Sequence, residues 1–176
     1  PFVTSSSPTA AGAAVGAGIP PRAIDRIIGV AKAYSTQVGT GPMPTELHDE
    51  MGDRLRKLGG EFGATTGRPR RIGWFDSVVT RYVTELNGCT DINITKLDVL
   101  DTLDEIPVCT GYLYRGELID YLPDPTIHEQ CEPVYEILPG WLQPTSEARA
   151  LADLPKNARA YLDRLSELVN VRIHSV

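Results

Sequence analysis

Three arginines fall within four positions, Arg68, Arg70 and Arg71, in a chain whose formal net charge is −6. They follow the run Gly63-Ala64-Thr65-Thr66-Gly67. Gly63 and Gly67 permit backbone conformations in which main-chain N–H groups converge on a ligand. Thr65 and Thr66 add short hydroxyl donors, and Pro69 stiffens the frame between Arg68 and Arg70. Guanidinium forks match the paired oxygens of carboxylate and phosphate. Together these residues have the chemistry of an anion clamp, suited to a small dicarboxylate or a phosphate. A solvated basic turn between two helices fits the same charges without a ligand.

A second segment, Thr95-Lys96-Leu97-Asp98, follows an alternating stretch that reads as a strand. A carboxylate at Asp98 can accept hydrogen bonds from N1–H and the 2-amino group of guanine, a donor pair that adenine lacks. The Lys96 stem can cover a base plane while its ammonium stays in water. Against this stands the acidic run Asp98, Asp101, Asp104 and Glu105, of the kind that only solvates a turn.

The elements that must position these segments follow from periodicity and capping. Ser, Thr, Ala and Gly dominate residues 1–19, which read as a flexible tail. Pro20-Pro21 opens a short helix through Ile24, Ile27 and Ile28, and 30–38 continues it or, on its β-branched content, forms a strand. A helix after Thr45 places Leu47, Met51, Leu55 and Leu58 on one face and ends at Gly59-Gly60. Another runs from about Asp76 to Leu86, with Val79, Tyr82, Val83 and Leu86 inward and Asn87-Gly88 as its stop. Ile92 and Ile94 mark a strand ending near Lys96. Arg115-Gly116 joins 108–114 and 118–122 in a hairpin. A strand over 134–138 ends at the Pro139-Gly140 turn. The last helix starts near Pro155, carries Ala158, Tyr161, Leu162, Leu165 and Leu168, and stops at Asn170 before a final strand. The mixture is α/β or α+β.

Composition narrows the function classes. With 41% apolar and 23% charged residues over 176 positions, the chain supports one domain with a real core. No apolar run is long enough to span a membrane, and the N-terminus lacks the pattern of a secretory signal. It also lacks a Met, which suggests a fragment or a processed chain. Cys89, Cys109 and Cys131 are widely spaced without CxxC, against a disulfide framework or a zinc site and in favour of a reducing compartment. His48, His128 and His174 are scattered and read as surface or packing residues. An acidic balance without aromatic interleaving around the arginines speaks against a nucleic-acid binder.

The stretch 34–76 resembles the adenylosuccinate synthetases. The likeness is carried by Val38-Gly39-Thr40-Gly41-Pro42-Met43-Pro44-Thr45-Glu46-Leu47, by Glu61 through Arg71, and by Gly73-Trp74. It extends through Pro1-Phe2-Val3-Thr4-Ser5-Ser6, Leu97 to Asp101, Cys131 to Glu136, Leu138 to Trp141, Leu154-Pro155 and Ala160-Tyr161. The resemblance implies the C-terminal part of one enzyme domain, spanning 1–176. It implies part of a P-loop-NTPase-like α/β fold, a central and mostly parallel sheet flanked by helices, with a β-hairpin added. It also implies a GTP-dependent ligase of AMP biosynthesis that joins IMP and L-aspartate.

Carried over residue by residue, Ala64, Thr65, Thr66, Gly67, Arg68, Pro69 and Arg70 would bind aspartate. Thr4 and Arg68 would contact IMP, and Arg70, Lys96, Leu97 and Asp98 would contact GTP. The intact relative would be a cytoplasmic homodimer. The chain shows no phosphate-loop motif such as GxxxxGK[ST] and no general acid or base that can be named. The Mg2+ ligands and catalytic groups are expected in an N-terminal half, and a last guanine-contacting loop beyond Val176. The 176-residue chain by itself is then expected to be inactive, with apolar surface and sheet edges left uncovered. The alternative is a noncatalytic guanine-nucleotide or anion-binding module built on the same loop.

Overall fold

The structure is a computed structural model that describes residues 9–176. In chain order the first half holds α1 (Ala10–Ala17), β1 (Ile28–Lys32), β2 (Ser35–Gln37), α2 (Glu50–Gly59), β3 (Arg71–Gly73), β4 (Phe75–Asp76) and α3 (Ser77–Asn87). The second half holds β5 (Asp91–Thr95), β6 (Glu105–Tyr114), β7 (Glu117–Ile119), α4 (Pro125–His128), β8 (Glu132–Pro139), α5 (Lys156–Val169) and β9 (Arg172–Ser175).

Three strands form a parallel sheet in the order β1-β5-β9. Ile92 and Ile94 of β5 are buried and join the main core with Leu55, Ile72, Tyr161 and Leu165. β5 keeps its polar alternation, Ile92 and Ile94 packing into the core while Asn93 is half-buried and Thr95 exposed. A second sheet is built on β6, parallel to β4 and antiparallel to β7 and β8. This mixed α/β architecture, with a mostly parallel sheet and flanking helices, agrees with the expected fold class.

Several elements follow their local chemistry closely. Ala158, Tyr161, Leu162, Leu165 and Val169 form the buried stripe of α5, which ends on Asn170 in the left-handed conformation. Tyr114 pairs with Glu117 across Arg115-Gly116, both at positive φ, as a two-residue hairpin turn requires.

Other elements differ from the sequence reading. Residues 10–17 are helical: Thr9 caps Gly12, the run is rich in Ala, and Gly18 closes it in the left-handed region. The region of Ile24, Ile27 and Ile28 is not a helix. A 3-10 turn at Pro21–Ala23 gives way to extended chain and then β1. The helix expected after Thr45 starts only at Glu50, because the Asp49 carboxylate caps Gly52. Leu55 is fully buried there while Leu58 is exposed.

The inward face of α3 differs from the one its periodicity predicts: Tyr82, Val83 and Leu86 are 46%, 45% and 63% exposed, and Val78 and Thr84 face the core instead. The phase of α3 is set at its start. Buried Asp76 accepts from the N–H groups of Val78 and Val79 and from the Tyr112 hydroxyl. Thr84 tolerates burial because its hydroxyl donates to the Arg81 carbonyl.

Candidate functional site

The arginine run lies on a loop that leaves α2 and returns to β3. Its walls close by backbone bonds: Arg70 N–H donates to the Glu61 carbonyl at 3.0 Å, Gly63 N–H to Arg68 O at 2.8 Å, and Gly67 N–H to Gly63 O at 2.8 Å. Gly67 sits at φ 64, the conformation this reversal needs. The tip residues Ala64, Thr65, Thr66, Gly67, Arg68 and Pro69 are all exposed. Thr66 Oγ1 accepts from the Arg68 N–H at 3.4 Å.

Beneath the tip lies a buried carboxylate. Glu61 is 2% exposed and takes hydrogen bonds from Lys32 Nζ at 2.6 Å, Tyr34 OH at 2.7 Å and Arg70 Nη1 at 2.9 Å. Burial pushes the Glu61 carboxyl up, but these donors outweigh it and hold the group below the ordinary carboxylate range. Burial first, then the bond to Glu61 and the charges of Glu61 and Asp98, push the Tyr34 phenol far above its usual value.

The arginines therefore divide by environment. Arg71 turns inward, its Nε donating to Glu46 at 2.8 Å and its Nη1 to the Gly39 and Gly41 carbonyls at 3.1 and 2.6 Å. Arg70 is tethered at one edge and open at the other. Arg68 stands exposed at the tip.

The second predicted segment lies against the same wall. Leu97 is buried in the core, while Lys96 and Asp98 are exposed at the mouth of a cleft of about 480 Å3. That volume is in the ordinary range of about 300–1,000 Å3 for small-molecule sites. Thr145, Arg149, Leu154 and His174 line it as well. Lys96 adopts φ 63, and its ammonium donates to the Gly59 carbonyl at 3.1 Å, a favourable place for a cation at the C-terminal end of α2. Gly59 also packs against Tyr34 so closely that a Cβ there would collide with the phenol oxygen. Loop and cleft thus meet at Tyr34, Gly59 and Lys96.

The far wall of the cleft hangs on Asp101. Its carboxylate accepts from Trp141 Nε1 at 2.7 Å, Thr145 N–H at 2.8 Å and Thr145 Oγ1 at 2.8 Å. Sequence reasoning placed Asp101 among solvating acids and gave no role to Lys32, Tyr34 or Glu61. A lone acid at the foot of an arginine loop was the available signal for Glu61. Lys96, Leu97 and Asp98 line the cleft, whose lining includes none of the loop residues 64–70, and the two segments are linked one layer down, where Gly59 meets both the Lys96 ammonium and the Tyr34 hydroxyl. Thr4 lies outside the described residues. Among the described residues no three His, Cys, Asp or Glu side chains converge as a metal cluster. No helix among the described residues is long and apolar enough to cross a membrane.

Fold and site define a class: an α/β chain with exposed Arg68 and half-buried Arg70 on a glycine-rich loop and, beyond Gly59, a cleft lined by Lys96 and Asp98, equipment suited to nucleotide and small-anion chemistry. The family model of adenylosuccinate synthetase matches residues 1–176. The chain belongs to the adenylosuccinate synthetase family. It is 57% identical over 174 residues to the adenylosuccinate synthetase of Picosynechococcus sp., covering 98% of this chain and 39% of that protein. It is 54% identical over 177 residues to that of Nocardioides sp., covering 100% of this chain and 41% of the relative. The fully ligated adenylosuccinate synthetase structure from Plasmodium falciparum superposes with a TM-score of 0.92 at 40% identity, over 98% of this chain and 42% of that one. The chain thus spans about two fifths of the length of these relatives.

Proposed function

We propose that this chain supplies the aspartate clamp and part of the guanine pocket of a GTP-dependent ligase that converts IMP and L-aspartate to adenylosuccinate, GDP and phosphate. The observation that carries the reading is Arg70, half-buried and held by the buried Glu61 carboxylate, two residues from exposed Arg68 on one loop. In this reading GTP phosphorylates the 6-oxygen of IMP, and the aspartate amine then attacks C6 and displaces phosphate.

Each residue has a limited task. The backbone of Ala64, Gly67 and Pro69, the hydroxyls of Thr65 and Thr66, and the forks of Arg68 and Arg70 take the aspartate carboxylates, leaving the amine free to attack. Arg68 also reaches the IMP ribose, with Thr4 as a further IMP contact. Arg70 reaches toward GTP. Asp98 accepts from guanine N1–H and the 2-amino group, with Lys96 and Leu97 beside the base. The reaction calls for Mg2+ on the nucleotide phosphates. In this reading its ligands, like the general acid and base, belong to the part of the full-length protein that these 176 residues do not span. The full-length protein is proposed as a cytoplasmic homodimer.

The test is adenylosuccinate formation by the full-length protein given IMP, GTP and aspartate, beside an Arg68→Leu variant. Activity that Arg68→Leu removes is the expected outcome, together with no turnover by residues 1–176 alone. A well-folded full-length protein without activity would leave a noncatalytic guanine-nucleotide or anion-binding module.

A further inference from the structure

We infer that Glu61 is a positioning residue that acts through Arg70: it fixes the guanidinium so that its free edge meets a ligand carboxylate, and Lys32 and Tyr34 fix Glu61 in turn. This rests on the functional reading above and adds to it a support that reaches from the end of β1 to the arginine loop.

The geometry is specific. A carboxylate that is 2% exposed persists only if its oxygens are satisfied, and Glu61 receives three donors from two segments, Lys32 and Tyr34 around the end of β1 and Arg70 on the loop. Oε1 is taken by Lys32 and Tyr34, and Oε2 by Arg70 Nη1. A guanidinium has five N–H donors in a planar fork. Pinning Nη1 from below orients the plane and leaves the other donors of a side chain that is 36% exposed. Arg56 Nε further anchors the Arg70 carbonyl at 2.9 Å, so the backbone is fixed as well as the fork.

The supports are themselves rigid. Tyr34 is 2% exposed, and its hydroxyl cannot shift toward α2 because Gly59 leaves no spare room. Lys32 Nζ also donates to Thr36 Oγ1 at 2.9 Å. Two cations share one carboxylate, so Lys32, Glu61 and Arg70 together carry one surplus positive charge on partly exposed side chains. An arriving carboxylate neutralises it. A fork already oriented spends less binding free energy on ordering than a free arginine does.

A purely structural Glu61 would tie the loop to the core without acting through Arg70, and a double-mutant cycle in the full-length enzyme separates the two. Glu61→Gln keeps the shape and removes the charge. It is expected to raise the KM for aspartate about tenfold or more with a smaller change in kcat, the size of a lost hydrogen bond to a charged group. In an Arg70→Ala background the same substitution is expected to add less than about twofold, because its target is gone. Equal factors in both backgrounds overturn the proposal.

Tyr34→Phe, which removes one hydroxyl and keeps the carboxylate, carries the same cycle if Glu61→Gln fails to fold. Its expected effect is about threefold, and it too should vanish without Arg70. An active Arg70→Ala enzyme with unchanged KM values for aspartate and GTP would instead overturn the assignment of the clamp, and this proposal with it.

Discussion

The loop at residues 61–71 and the cleft above Leu97 each hang on one carboxylate, and the donors on that carboxylate set what each region can hold. Glu61 is bonded by an ammonium, a guanidinium and a phenol. Asp101 is bonded by an indole N–H, a backbone N–H and a hydroxyl, all neutral. The first arrangement leaves surplus positive charge facing outward, which suits an anion. The second leaves a shaped wall whose recognition falls to the groups at its mouth, Asp98 above all, which suits a base with donors on its edge. At the loop, exposed Arg68 and half-buried Arg70 lie over buried Glu61; at the cleft, exposed Asp98 stands across from a wall that Asp101 holds through Trp141 and Thr145.

The contrast is sharpest among the arginines themselves. In the full-length protein, Arg68→Leu is expected to lower kcat/KM about a hundredfold or more, as loss of an oriented charged donor does, with little change in melting temperature. Arg71→Leu is expected to do the reverse. It strips Glu46 and two backbone carbonyls of their partner, at a cost of about 2–4 kcal/mol in stability. Thermal melts beside steady-state kinetics decide this. Loss of stability in Arg68→Leu would merge the two classes and undo the division.

Gly59 tests whether the two regions are joined. An added methyl meets the Tyr34 hydroxyl on one side, while the Gly59 carbonyl holds Lys96 on the other. Gly59→Ala is expected to cost about 1–3 kcal/mol by overpacking and to raise the KM values for both aspartate and GTP. A rise in only one of them would show that loop and cleft are independent.

On the cleft side, guanine selection should weaken with Asp98→Ala. Competition of GTP with inosine triphosphate, which lacks the 2-amino group, is the measurement. The preference for GTP is expected to fall by about tenfold, the worth of one charged hydrogen bond. An unchanged preference would move guanine recognition away from Asp98.

The outer layer of both regions was legible in the sequence, and the inner layer was not. Arg68, Arg70 and Asp98 stand in turns where neighbouring residues state their chemistry, and the glycines and Pro69 announce the loop. Glu61 draws its meaning from Lys32 and Tyr34, 29 and 27 positions away, and Asp101 from Trp141 and Thr145, 40 and 44 positions away. No local pattern carries such partners, so Asp101 read as one more acid in an acidic run. The same limit governed the fold. The β6–β7 hairpin and α5 were readable because the Arg115-Gly116 turn and the apolar stripe are local. The face of α3 was not, because its phase is set by Asp76 and Tyr112 from β4 and β6, and the stripe of Tyr82, Val83 and Leu86 that looked like core points outward.

Acid offers the smallest and most selective probe of the Glu61 cluster. Its partners hold the Glu61 carboxyl below the ordinary range in the folded protein. A depressed folded pKa contributes stability that is fully present above the unfolded value, about 4.3 for glutamate, and that is lost as pH falls through the folded value. A protonated Glu61 is, to its neighbours, close to a glutamine: neutral, still able to accept from Lys32 and Tyr34, and no longer a counter-charge for Arg70. The gap in melting temperature between the full-length protein and its Glu61→Gln variant is therefore expected to be widest above about pH 5 and to close as pH drops below about 4. Melts across that window are the measurement. A gap of constant size would mean that Glu61 stabilises by shape and packing, and that the charge imbalance distinguishing the loop from the cleft does not govern its stability.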